Sequence, residues 1–262
     1  MKYLLLISII FLAACNDNDN IAKKNDQVLS REQQLKKDIA QYPDSALLTE
    51  SLVQYYREGN NYGQALIVVN HAIKKDSNNP RLWDINATLN IENNDTAAAI
   101  HSFEKAISFY PDPQYIISLG ILYAQTKNAA ALQMADALLV ESKAKADKEA
   151  FFIKGLYYSY TGNKQKAIGF FDECLSISYT YMDAYIEKAL ALYDLKKYAE
   201  ALAVLDKAVT LQNNFDEGYY YRGRCLEKLN RPQEAAEAYH MALLYDHDYL
   251  EAKEALAKLG VN

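Results

Sequence analysis

From Ala46 to Tyr249, small and bulky residues recur in one order at intervals of 33 to 35 residues. In the unit counted from Met182, the fourth residue is Tyr185, the eighth Ala189, the eleventh Leu192, the twentieth Ala201, the twenty-fourth Leu205 and the twenty-seventh Ala208. The unit from Asp216 puts Tyr219, Gly223, Leu226, Ala235, Tyr239 and Ala242 at those places, and the unit from Lys148 puts Phe151, Gly155, Tyr158, Ala167, Phe171 and Cys174 there. Spacings of three and four residues keep each set on one face of a helix. Small residues at fixed places mark where two helices approach closely, and large ones fill the gap between them. A helical pair of about 34 residues cannot bury its apolar face alone and must stack on copies of itself. The pattern therefore predicts an all-α solenoid.

Earlier units carry faults. The unit from Ala46 offers Tyr56, Ala65, Val69 and Ala72 but has Thr49 and Val53 at the fourth and eighth places. The unit from Pro80 has Trp83, Ala87, Ala99, Phe103 and Ala106, with polar Asn90 at the eleventh. The unit from Pro113 keeps Gly120 and Tyr123, runs one residue long, and reads Ala131, Ala135 and Leu138 in its second helix, so a local change of curvature is expected there. Short breaks rich in Gly and Asn separate the paired helices, from Gly59-Asn60-Asn61 to Asn230-Arg231-Pro232; these residues tolerate the left-handed conformation that ends a helix. A capping helix is predicted within residues 26–44 and another within 250–262, closing an array of six repeats over 46–249 with units starting near 46, 80, 113, 148, 182 and 216.

This order of residues resembles the tetratricopeptide repeat. The resemblance implies a right-handed α-solenoid whose first helices line a concave groove that binds protein or peptide partners. Chaperone-associated members hold a C-terminal carboxylate there with Lys at the fifth place and Asn at the ninth; this chain has Glu50 and Gln54, then Asp84 and Thr88, so that clamp is missing. From the third unit onward the same places turn apolar: Ile117 and Ile121, Phe152 and Leu156, Ile186 and Leu190, then Tyr220 and Arg224, with Tyr160 and Tyr193 beside them. These ten residues are expected to form a continuous groove strip framed by Glu149, Asp183, Glu187, Glu217 and Glu227. Leu156 and Leu190 in particular are expected to face the groove instead of the packed interior. A groove filled by a neighbouring segment or by a second copy stays open as an alternative.

The N-terminus adds a different signal. Lys2 precedes an uncharged apolar run from Tyr3 to Ala14, too short for the ~20 residues of a membrane-spanning helix, so residues 1–14 read as a signal peptide. Leu12-Ala13-Ala14-Cys15 resembles the lipobox of bacterial lipoproteins, which implies acylation at Cys15 and a membrane anchor. Residues 15–25, opening on Asn16-Asp17-Asn18-Asp19-Asn20, read as a flexible acidic tether. Acidic tracts after the lipidated cysteine resemble surface-export signals of Bacteroidetes lipoproteins; a plain solvated linker is the other reading. Asn16, where proteobacterial sorting would place Asp for inner-membrane retention, favours the outer membrane if that rule applies.

Charge and chemistry narrow the partners. Removing residues 1–14 takes away one lysine, leaving 27 basic against 34 acidic side chains, and no basic stripe is present to neutralise phosphates, so nucleic acid is not an expected partner. Cys174 and Cys225 lie two units apart and read as buried small hydrophobes. The four histidines, His71, His101, His240 and His247, fall at unrelated repeat places without metal-ligand spacing, and there is no glycine-rich phosphate loop. Asp246-His247-Asp248 reads as a solvated turn. Asp44-Ser45-Ala46 and Asp95-Thr96-Ala97 resemble O-glycosylation sites of Bacteroidetes secreted proteins, with helix capping as the alternative. No enzyme, metal or cofactor is expected. The expected function is a membrane-anchored adaptor or assembly scaffold of the bacterial envelope, architecturally similar to tetratricopeptide lipoproteins that assist pilus assembly. A self-associating spacer of a secretion, pilus or motility complex and a lipid or glycolipid carrier remain as alternatives.

Overall fold

The computed structural model describes residues 29–141 and 146–260. The signal peptide, Cys15, the tether and the first residues of the N-terminal cap lie outside the described residues. Among the described residues there are fourteen helices and no strand. A single helix α1 (Arg31–Gln41) precedes six pairs: α2 (Ala46–Glu58) with α3 (Tyr62–Lys75), α4 (Pro80–Glu92) with α5 (Thr96–Phe109), α6 (Pro113–Gln125) with α7 (Ala130–Glu141), α8 (Asp147–Tyr160) with α9 (Lys164–Ile177), α10 (Met182–Asp194) with α11 (Tyr198–Leu211), and α12 (Asp216–Lys228) with α13 (Pro232–Tyr245). Helix α14 (Leu250–Leu259) closes the array and ends at left-handed Gly260. Each helix packs on the next in sequence, the arrangement of a helical-repeat solenoid.

The small places are where the backbones meet. Ala65, Ala99, Ala131, Ala167, Ala201 and Ala235, at or near the start of each second helix, are all fully buried. A Cβ built on Gly155 would lie 2.4 Å from the ring of Phe171, and one on Gly223 would lie 2.5 Å from the ring of Tyr239. The eighth and twenty-fourth places are thus a matched pair: the ring occupies the space that a missing side chain leaves. Cys174 and Cys225 are buried free thiols, and desolvation raises the first to about 12 and the second to about 11, so both act as small hydrophobes.

A second repeated contact lies outside the pattern of small and bulky residues. The seventh residue of one unit reaches the second helix of the unit before it: Lys154 to Asp136 at 2.7 Å, Lys188 to Asp172 at 2.5 Å and Arg222 to Asp206 at 2.6 Å. In the second unit the same rung is neutral, with Asn86 Nδ2 donating to Asn70 Oδ1 at 2.9 Å. There Asn86 also accepts from Asn90 Nδ2 at 2.8 Å and from Ser102 Oγ at 2.7 Å. Asn90, the polar residue at an apolar place, is therefore a buried member of a bonded network, which removes the cost of burying an unpaired amide.

The turns within the pairs share one geometry. Asn60, Asn94, Lys127, Lys196 and Asn230 have φ between 53° and 60°, and Gly162 has φ of 92°. Lys127 and Lys196 adopt the left-handed conformation without the usual Gly or Asn, a feature that residue type conceals. Ser45 and Asp95 accept hydrogen bonds from the backbone of Leu48 and Ala98, so both act as helix N-caps, while Thr96 is the first residue of α5. Asp246 accepts from the backbone N–H of Asp248 at 2.9 Å in the turn before α14.

Candidate functional site

The first helices divide into two unlike halves. Between α2 and α4 lies a cleft of about 460 Å³ that contains the residues at the clamp places, Glu50, Gln54, Asp84 and Thr88. Its arginines are already engaged. Arg81 lies 3.5 Å from Glu50 and 3.4 Å from Asp84, Arg31 lies 3.4 Å from Glu58, and Arg57 grips Glu92. Such exposed pairs contribute only ~0–1 kcal/mol each to stability, yet they neutralise this end of the inner surface.

From α6 onward the inner surface is aromatic and acidic. The expected strip is not continuous. Phe152 is 6% exposed, Leu156 2% and Ile186 5%, which makes them core and corrects their assignment to an open groove. The reason lies at the last residue of the unit. Tyr181 folds over Phe152 with ring centroids 5.1 Å apart, and Tyr249 folds over Tyr220 at 5.0 Å. Phe215, at the corresponding place between them, is buried in the same cluster as Ile186. Leu156 is closed off where α6 runs against α8.

Ile117, Ile121, Leu190, Tyr193, Tyr220 and Arg224 are half-buried, and Tyr160 is 40% exposed. What this surface offers is a set of tyrosines with carboxylates between them. Tyr193, Tyr220 and Tyr221 surround the Arg224 guanidinium at 5.1, 5.9 and 5.8 Å from their ring centroids. They stand beside a cleft of about 340 Å³ bounded by Glu227, Lys228, Glu251 and Lys258. Sequence reasoning misses Tyr181, Tyr221 and Tyr249, although Tyr181, Phe215 and Tyr249 occupy the same last place of three successive units.

Burial controls the titration of these groups. It lifts the Glu187 carboxyl to about 7; Lys164 opposes the shift, while Glu217, Asp183 and Asp194 reinforce it. Glu217 is raised first by burial and then by Asp183 and Asp216. Glu149 is 18% exposed, reaches Lys148 at 3.5 Å, and keeps its second carboxylate oxygen buried without a hydrogen-bond partner. The phenols of Tyr160, Tyr181, Tyr221 and Tyr249 are all raised, by burial first and by these carboxylates second. Among the described residues no group of three or more His, Cys, Asp and Glu side chains is placed to hold a metal ion, and no helix is long and apolar enough to cross a membrane.

Comparison with known proteins places the fold. The family described as anaphase-promoting complex, cyclosome, subunit 3 matches residues 161–242. A DnaJ homolog subfamily C member 7 homolog of Dictyostelium discoideum is 26% identical over 71% of this chain, and the mouse DnaJ homolog subfamily C member 7 is 25% identical over 45%. The chain spans 31% and 24% of the length of those two relatives. Among solved structures, a tetratricopeptide repeat protein from Parabacteroides merdae superposes with a TM-score of 0.72 at 23% identity, covering 88% of this chain and 91% of that one. PilW, a type IV pilus biogenesis factor, superposes with a TM-score of 0.64 at 19% identity, covering 80% and 97%.

Proposed function

We propose, on the premise that this chain folds as an α-solenoid of tetratricopeptide repeats, that it is a protein-interaction scaffold and that its partner segment docks on the inner surface formed by α8, α10 and α12. The observation that carries the reading is the contrast between the two halves. The N-terminal half pairs the charges of its inner cleft with one another, whereas the C-terminal half leaves Tyr160, Leu190, Tyr193 and Tyr220 partly open beside carboxylates. A rigid array offers that surface preformed, so little ordering entropy is lost on its side when a segment docks. Likeness to a pilus biogenesis factor is likeness of fold and does not select the process served.

Leu190→Asp tests the surface. Leu190 is only half-buried, so helix content and melting should change little, by about 1 kcal/mol. Partners captured by crosslinking in intact cells should be lost, because one apolar anchor contributes on the order of 1.5–3 kcal/mol and the new carboxylate adds a desolvation cost. A folded variant that captures the parent's partners would move the binding site elsewhere.

The scaffold is further proposed to be a lipoprotein anchored through Cys15, in the outer membrane of a bacterial envelope. The support is the run Leu12-Ala13-Ala14-Cys15 after an apolar segment. Cys15→Ser should leave the protein unprocessed or move it to the soluble fraction, since acyl chains supply the membrane affinity at ~0.8 kcal/mol per buried methylene. Mature protein that sediments with membranes and carries no lipid by mass spectrometry would remove this part of the proposal.

A further inference from the structure

If α8, α10 and α12 form the docking groove of a scaffold, as proposed above, the charges along that groove select the chemistry of the segment it holds. Glu149, Asp183, Glu187 and Glu217 lie on these three helices at the second and sixth places, on the same inner surface as Tyr160, Leu190 and Tyr221. Among the described residues, Asp183, Glu187 and Glu217 form no ion pair within 4.0 Å, and Glu149 reaches only its neighbour Lys148. Most cations near them are held by other carboxylates, and only Lys164 also acts on Glu187. Lys154, Lys188 and Arg222 are held on Asp136, Asp172 and Asp206 in the rungs between repeats, and Lys164 is held on Asp194 at 2.7 Å. The groove thus keeps a surplus of negative charge beside tyrosine rings, whose faces attract cations. The N-terminal cleft, lined by Arg31, Arg57 and Arg81 against Glu50 and Asp84, has no such surplus.

We infer that the groove of α8, α10 and α12 takes a protein segment in which lysine or arginine alternates with apolar residues. The apolar side chains would sit against Leu190, Tyr193 and Tyr220, and the cations would pair with Glu187, Glu217 and Asp183 and lie on the face of Tyr160. Arg224, held among Tyr193, Tyr220 and Tyr221, sets the far limit of the cationic stretch, because a second cation there would meet like charge. Burial holds Glu187 at about 7, facing Lys164 from α9, Asp183 and Asp194 on its own helix, Glu217 and Tyr221 from α12, and Tyr160 from α8. A raised carboxyl is neutral below that pH and charged above it, so binding should weaken as pH falls through about 7.

The test uses the purified full chain and three synthetic peptides of one length, in which leucine alternates with lysine, with glutamate or with serine. Fluorescence anisotropy should show the lysine peptide binding at least about tenfold more tightly than the glutamate peptide, with the serine peptide between them and the difference shrinking as salt rises. Glu187→Gln with Glu217→Gln should weaken the lysine peptide several-fold and remove most of its pH dependence, while circular dichroism confirms an unchanged fold. Equal binding of the lysine and glutamate peptides, no binding of any peptide, or a lysine peptide insensitive to both glutamine substitutions would overturn the inference. Its failure is separable from failure of the scaffold reading: a glutamate or serine peptide whose binding is lost in Leu190→Asp would keep the groove and discard the cationic partner.

Discussion

Leu156→Asp is expected to unfold the central repeats, whereas Leu190→Asp, at the equivalent ninth place one unit later, is expected to leave the fold intact. Leu156 is 2% exposed, within the cluster that joins α6, α8 and α9. The substitution removes a buried apolar side chain and puts a charge inside an apolar cluster. Together these cost on the order of 5 kcal/mol, comparable to the whole stability of many domains. Because each repeat is stabilised by its neighbours, the loss should spread along the array. Thermal melting followed by circular dichroism separates the two variants, and a Leu156→Asp protein that melts like the parent would return that residue to the groove.

The second large effect is expected at a glycine. Gly155→Ala adds one carbon 2.4 Å from Cε1 and 2.6 Å from Cδ1 of Phe171, a ring that is itself fully buried and packed 5.9 Å from Phe152. The ring has no free space to enter, so the variant should lose ~1–3 kcal/mol despite the better helix propensity of alanine. Gly169→Ala, on the exposed face of α9 with nothing within 4 Å of the added carbon, should instead gain about 0.5–1 kcal/mol. Opposite signs in urea melts, for one chemical change at two helical glycines, would establish the pairing of the eighth and twenty-fourth places. The same sign at both would contradict it.

The fold is legible in the sequence because its determinant is repeated: one small residue facing one ring, copied in register from Gly155 and Phe171 to Gly223 and Tyr239, leaves few alternatives to stacked helical pairs. The inner surface is less legible because its places have two uses. An apolar residue at the fifth place either faces the groove or lies under an aromatic from the end of its own unit, and only the conformation of Tyr181 shows that Phe152 lies underneath. The rungs between repeats escape notice for a related reason: Lys188 and Asp172 read as ordinary exposed charges until two helices bring them to 2.5 Å. Asn90 looks like a fault in the pattern because its partners, on Asn86, come from the turn preceding it on the same helix.

The central claim, that a partner segment lies along the inner surface of α8, α10 and α12, is tested most directly by site-specific photocrosslinking in intact cells. A photoreactive amino acid is placed in turn at Tyr160, Leu190 and Tyr220 on the inner surface, and at Gly169 and Ala203 on exposed faces of the second helices. The account predicts one common adduct from the three inner positions and none of that mass from the outer two. Adducts confined to Gly169 and Ala203, with silent inner positions in a protein of normal abundance, would contradict it.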